Sequence, residues 1–230
     1  MPIIWTPWTI VIMIAFGLSL WAQFKVQSNF QAMSRVRASS GLTGAQAAKR
    51  MLEANGIYDV TIEPISGMLS DHYDPVHKTI RLSEGVYNST SIAAVSVACH
   101  EVGHAIQHKV HDPMLVFRHA MFPVTNIASG IAPFLLLAGF FFKASGLLLL
   151  GIIAFSFAVL FHVVTLPVEF DASRRAKAQM EKLGIIGRSE QRGANKVLGA
   201  AALTYVAAAL ISVLQLLEYV WIFIGQTRDE

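Results

Sequence analysis

A chain of 230 residues that is 54% hydrophobic and only 14% charged is too apolar for a soluble globule, in which about a quarter of residues carry charge. Its net charge of +3 comes from basic flanks of apolar runs, so no nucleic-acid partner is expected. The single cysteine, Cys99, excludes an internal disulfide. Four apolar runs reach the roughly 20 residues needed to cross a bilayer: Ile3–Phe24, Phe122–Phe142, Leu147–Leu166 and Gly199–Ile224. Trp5, Trp8, Trp21 and Trp221 lie near their ends, where amphipathic rings favour the interface. The composition predicts a multi-pass protein of the lipid bilayer.

The first run has no Lys or Arg before it, is too long for a signal-peptide core and is followed by no small-x-small site, so it reads as a retained helix. Sixteen of the eighteen Lys and Arg fall in residues 25–121 and 167–198. The positive-inside rule puts both segments in the cytoplasm and both termini outside.

Within 25–121, Thr43-x-x-Gln46 reads as a capping box and Gly56 as the stop of the helix that follows, with Ala45, Ala48, Met51 and Leu52 as its apolar stripe. Tyr58–Ile65 and Lys78–Leu82 are short and β-branched, as strands are. Gly67, Asp71, Asp74 and Pro75 mark turns between them. A two- or three-stranded sheet in front of a helix over Ser89–Lys109 makes a small α+β unit. Thr79–Leu82 is the candidate edge strand for an extended peptide; the alternative is an internal strand, with substrate bound elsewhere.

The helix carries Cys99-His100-Glu101-Val102-Gly103-His104, capped by Ser89 or Ser91. His100 and His104, four residues apart, share one helix face and can share one metal ion. Glu101 beside them can deprotonate a water whose pKa zinc has lowered to about 7. Chance order yields H-E-x-x-H roughly 0.01 times in such a chain. The alternative is a buried helix with two hydrogen-bonded histidines, which leaves Glu101 without a reason to sit among Ala and Val. Ser89, Thr90, Ser91, Gln107 and Lys109 fit a soluble or interfacial helix better than one inside the bilayer. Cys99 reads as a small core residue rather than a reactive thiol. Asp112-Pro113 should end the helix, and the short Phe142–Gly146 turn makes the next two spans an antiparallel hairpin.

A catalytic zinc needs a third protein ligand. His108 lies about 12 Å along the helix from His100, too far for one ion, so it either supports a ligand from behind or faces solvent. Glu169, just past Pro167 at the end of the third span, is the candidate: a carboxylate at that depth must be paired or bound to metal. The alternative is an ion pair with Arg174 or Arg175. Asp171 points to the opposite helix face. His162 lines the base of the site or packs against another span.

The blocks Val97–His108, Asp71-His72-Tyr73-Asp74-Pro75 and Leu166–Ser173 together resemble the YugP family of bacterial membrane neutral zinc metallopeptidases. The resemblance implies a multi-pass bacterial plasma-membrane enzyme with Zn2+ and a cytoplasmic active site. The Glu169 block is also distantly similar to HtpX-like peptidases, in which a glutamate on a later helix is the third ligand. Those relatives tend to carry an aspartate four residues further on that orients a zinc histidine. Ser173 stands there, and its hydroxyl could make a weaker version of that bond.

The sequence reading is therefore a mainly α membrane protein of four transmembrane helices, with a small cytoplasmic α+β zincin-like unit. His100, His104 and Glu169 bind zinc, Glu101 is the general base, and the substrate is a protein or peptide, membrane-associated. His72, Tyr73 and His119 are candidates to stabilise the oxyanion, with turn, surface or interface roles as their alternatives. The rival functions are a non-catalytic zinc-binding scaffold and an intramembrane site-two-type protease.

Overall fold

The computed structural model describes residues 7–228; the start of the first apolar run, with Ile3 and Trp5, lies outside the described residues. In chain order the elements are α1 (Pro7–Ser34), α2 (Gly44–Ala54), β1 (Thr61–Ile65), β2 (His72–Asp74), β3 (Thr79–Ser83), α3 (Glu84–Tyr87), α4 (Ile92–Lys109), α5 (Pro113–Phe141), α6 (Ser145–Lys182) and α7 (Gln191–Arg228). Four of them, α1, α5, α6 and α7, are long and apolar enough to cross a membrane. Each extends beyond the apolar run that predicts it. α6 continues sixteen residues past Leu166 to Lys182 with Pro167 inside it, at the cost of the one rung that the missing proline N–H cannot make. The residues form two compact units, one apolar (up to Trp21, Val116–Leu166, and from Thr204 on) and one largely polar (Ala22–Leu115 and Pro167–Leu203).

In the apolar unit, α5 and α6 form the expected antiparallel hairpin. A Cβ on Gly139 would lie 2.4 Å from the Leu148 nitrogen, and one on Gly151 would lie 2.8 Å from Leu136, so glycine permits the close approach. Leu136, Leu148 and Ile152 are buried there, and Phe155 packs edge-on to Tyr219 at 5.4 Å. Large side chains such as Ile14, Phe16, Ile127 and Phe134 remain exposed on its helices.

The polar unit has its own core, built from Met51, Leu52, Ile80, Leu82, Val95, Val102, Met180 and Ile185 among others. Thr43 and Gln46 make the capping box at the start of α2, each bonding the other's backbone N–H. Gly56 follows the helix in a left-handed conformation (φ 64°), a position where a Cβ would be strained. The buried stripe of α2 is Gly44, Ala47, Ala48, Met51 and Leu52; Ala47 takes the place expected for Ala45, because the helix rests on both sheet and α4 and so buries a wider arc than one row.

The sheet order is β1-β3-β2, with β1 parallel and β2 antiparallel to β3. Thr79–Leu82 is thus the central strand, not the edge. Its pattern, with every residue but Arg81 buried, is that of a strand covered on both sides. The edges are β1 and β2, and β2 lies against α4, where the Tyr73 hydroxyl and His108 Nδ1 share a hydrogen bond of 2.8 Å.

Ser91 is the N-cap of α4, its hydroxyl accepting from the Ala94 N–H. Further along, α4 meets α6 with backbone close to backbone: a Cβ built on Gly103 would lie 2.6 Å from the Ala172 carbonyl oxygen. A methyl group there forces the helices apart. Gly103→Ala is expected to destabilise the polar unit by about 1–3 kcal/mol, the usual range for overpacking. Gly130→Ala, where nothing lies within 4 Å, should leave stability unchanged or slightly raised. Thermal unfolding of the two variants in the same detergent makes the comparison.

Candidate metal centre

His100 and His104 project from α4 one turn apart, their rings edge-on with centroids 4.9 Å apart. Because Gly103 lets α6 approach, Glu169 on α6 reaches both rings. Its Oε2 stands 3.2 Å from His100 Nε2 and 3.5 Å from His104 Nε2. Each of the three offers one ligand atom, all within 4.8 Å of one another. Ligands held at about 2.1 Å in a tetrahedron lie about 3.4 Å apart, so the spacing fits a zinc-sized ion. Two imidazoles and a carboxylate are also the donor set of catalytic rather than structural zinc.

The surroundings are nearly dry: the side chains of His100, His104 and Glu169 keep 14%, 12% and 4% of their surface. Burial alone would raise the Glu169 carboxyl, but hydrogen bonds from His100 and His104 outweigh it and hold the group below the usual carboxylate range. Burial likewise works against the charged form of His104, and its bond to Glu169 reverses the sign and raises it. Glu101 is buried beside them; desolvation pushes its carboxyl up, against the lowering influence of the two histidines.

The remaining ring nitrogens are also engaged. His100 Nδ1 meets the Ser173 hydroxyl at 3.1 Å, the bond expected of the serine that replaces an acid. His104 Nδ1 meets Gln107 Oε1 at 3.0 Å, and the Gln107 amide bonds the Val168 carbonyl and Asp171 Oδ2, both at 2.9 Å. Gln107 is a site residue that the sequence alone does not single out. Its one signal is an uncharged amide three residues after His104, on a helix otherwise lined with Ala, Val and Ile.

The alternative pairing of Glu169 with arginine is overturned: Arg174 and Arg175 both pair with Asp171. His108 is not part of the cluster and is held by Tyr73. Cys99 is fully buried, and desolvation lifts its thiol far above the ordinary value, which makes it the inert core residue expected. His72 donates from Nδ1 to the Ser70 carbonyl. His119 and His162 belong to the apolar unit, where the buried His162 Nδ1 has no hydrogen-bond partner among the described residues.

A family model described as "Putative neutral zinc metallopeptidase" matches residues 8–224, and the chain belongs to that family, whose metal is zinc. A protein of Bacillus subtilis (strain 168) described as "Putative membrane protease YugP" is 57% identical over 216 residues, 94% of this chain and 96% of that one. No solved structure matches the chain.

The strand nearest α4, β2, is braced at its end by charge. Asp74 accepts from Arg81 on β3 at 2.8 Å, from the His77 ring at 2.7 Å and from the Val76 and His77 backbone N–H groups. The Arg81 bond, followed by those from His77, holds the Asp74 carboxyl well below the ordinary 3.8. A depressed carboxylate stabilises the fold above its unfolded value, and that contribution fades as pH falls through its folded value. Asp74→Asn should therefore melt at a lower temperature than wild type at pH 7. The gap should narrow as pH drops below 4, which melts at pH 7, 5 and 3 would reveal.

Proposed function

We propose that this protein is a zinc metalloendopeptidase of the bacterial plasma membrane, cutting protein or peptide substrates at the cytoplasmic face. One observation carries it: a buried carboxylate from α6 lies 3.2 and 3.5 Å from two imidazoles of α4, all three ligand atoms within 4.8 Å of one another, close enough to share one ion. In this reading His100, His104 and Glu169 hold the metal. Zinc bound there would lower the pKa of a coordinated water to about 7 and polarise the scissile carbonyl.

The chain's own residues do the rest. Glu101, next to His100 and raised by burial toward neutrality, takes the proton of the attacking water at its carboxylate and later passes it to the leaving amine. Ser173 and Gln107 hold the two rings in place by their far nitrogens. The exposed edge of β2, next to α4, is the strand that receives an extended substrate, in place of Thr79–Leu82. The scaffold alternative gives Glu101 no role, since a structural zinc has no use for a base.

The membrane placement rests on four apolar helices whose exposed large hydrophobic side chains would be costly in water over so wide an area. The distribution of Lys and Arg supports cytoplasmic polar segments and external termini. Cysteine introduced at Lys143 in a Cys99→Ser background should react with a membrane-impermeant maleimide in intact cells, and one at Arg188 should react only after lysis.

Purified in detergent, the protein should hold one zinc per chain and cleave an unfolded casein-type substrate. Glu101→Gln should keep the zinc and lose cleavage by about 10²–10⁴-fold, the worth of general acid–base catalysis. Glu169→Ala should lose both. Zinc without cleavage in the wild type supports the scaffold; wild-type cleavage by Glu101→Gln refutes the mechanism.

A further inference from the structure

We infer that Gln107 is a positioning residue that sets the tautomer of His104 and pins the segment of α6 bearing Glu169; this rests on the zinc-site reading above. Gln107 is fully buried, and every polar atom of its side chain is in use. Its amide nitrogen has two hydrogens. One goes to the Val168 carbonyl at 2.9 Å and the other to Asp171 Oδ2 at 2.9 Å. Both recipients only accept, and Asp171 is kept ionised by Arg174 and Arg175.

The amide therefore has one workable orientation. Turned over, its oxygen would face two acceptors. Oε1 must point at His104 Nδ1, 3.0 Å away. A carbonyl oxygen cannot donate, so the hydrogen of this bond sits on Nδ1. With Nδ1 keeping its hydrogen, the proton that an entering cation displaces is the one on Nε2, the nitrogen that faces Glu169, and the lone pair is left there. His100 has no such constraint, because the Ser173 hydroxyl on its Nδ1 either donates or accepts. One of the two imidazoles is thus prepared for a cation by its partner, and the other adapts.

The second effect is mechanical. Val168 precedes Glu169 and Asp171 follows it by two, so a single side chain from α4 grips α6 on either side of the carboxylate. Removing the amide frees the ring of His104 and the register of Glu169 together.

The test uses full-length protein in detergent, with zinc affinity read by competition with a chelator and the visible spectrum of the cobalt-substituted protein as the second signal. Gln107→Leu, close in size, should weaken zinc binding about 10–100-fold, the usual cost of losing such a partner, and alter the cobalt bands. Gln107→Glu should also bind poorly, since the new carboxylate opposes Asp171. Combining Gln107→Glu with Asp171→Asn removes the repulsion from Asp171 and restores that one bond to α6, the new amide donating to the new carboxylate, which accepts from His104; the Val168 carbonyl stays without its donor. That double variant should bind zinc more tightly than Gln107→Glu alone, recovering part of the affinity that variant loses. A merely structural role predicts that affinity follows the melting temperature of the metal-free variants, with no rescue by the pair. Wild-type affinity and cobalt spectrum in Gln107→Leu, or loss without rescue, overturns the inference. Failure of the wild type to bind one zinc instead overturns the site itself.

Discussion

A carboxylate that is 4% exposed, held between two imidazoles, is the constraint that the polar unit is built around. Isolated, an ionised carboxylate in such a place would cost several kcal/mol; paired with two histidines it is held ionised instead. The pairing demands that two helices approach more closely than ordinary side chains allow. Gly103 on α4 and Ala172 on α6 supply that closeness. Residues Val168, Glu169, Asp171, Ala172 and Ser173 then spread over three sides of α6 within one and a half turns, and all but Asp171 are buried. Val168 gives a carbonyl to Gln107, Glu169 turns its carboxylate to the rings, and Asp171 is the anion for two arginines. Ala172 leaves clearance for Gly103, and Ser173 brings a hydroxyl to His100.

The same crowding gives the centre its electrostatic character. Three groups that would each resist charge when buried stabilise one another, and the bond to Glu169 raises His104 against its own desolvation. A cation entering such a cluster replaces protons, so metal affinity and proton release are linked. Glu101 experiences the opposite balance, burial dominating over the neighbouring rings. Two glutamates, one held low as an anion and one pushed up by burial, are separated by environment alone, the division that the proposed roles of ligand and proton carrier require.

Much of this is legible in the chain. The H-E-x-x-H spacing, the capping box at Thr43, the left-handed stop at Gly56 and the four apolar runs are local patterns, each set by residues a few positions apart. The convergence of Glu169 on the histidines is not local, and the sequence points to it because a buried acid needs a partner and because the surrounding block resembles a known ligand block. Three features are not fully legible. Strand order is one, since Thr79–Ser83 is apolar enough for either an edge or a centre, and only the parallel pairing with Thr61–Ile65 decides between them. The stripe of α2 is legible only in part: Ala48, Met51 and Leu52 are buried as expected, but Gly44 and Ala47 are buried rather than Ala45. Gln107 is the third: it looks like an ordinary polar residue near a helix end, since its partners are 61 and 64 residues away.

The relocation of the edge alters what surrounds the proposed chemistry. A central β3 ties β1 and β2 together through the Arg81 side chain, which reaches Asp74 on one neighbour and Glu63 on the other. β2 is only three residues long, too short to be rigid alone. It is steadied at Tyr73 by His108 of the metal helix, at Asp74 by Arg81, and just before its start by Asp71, which accepts from both the backbone N–H and the hydroxyl of Ser83. The strand proposed to receive a substrate is thus fastened directly to the helix that carries the histidines. A peptide extended along β2 would be referenced to α4 through the Tyr73–His108 bond, and so to the same helix that sets the ligands.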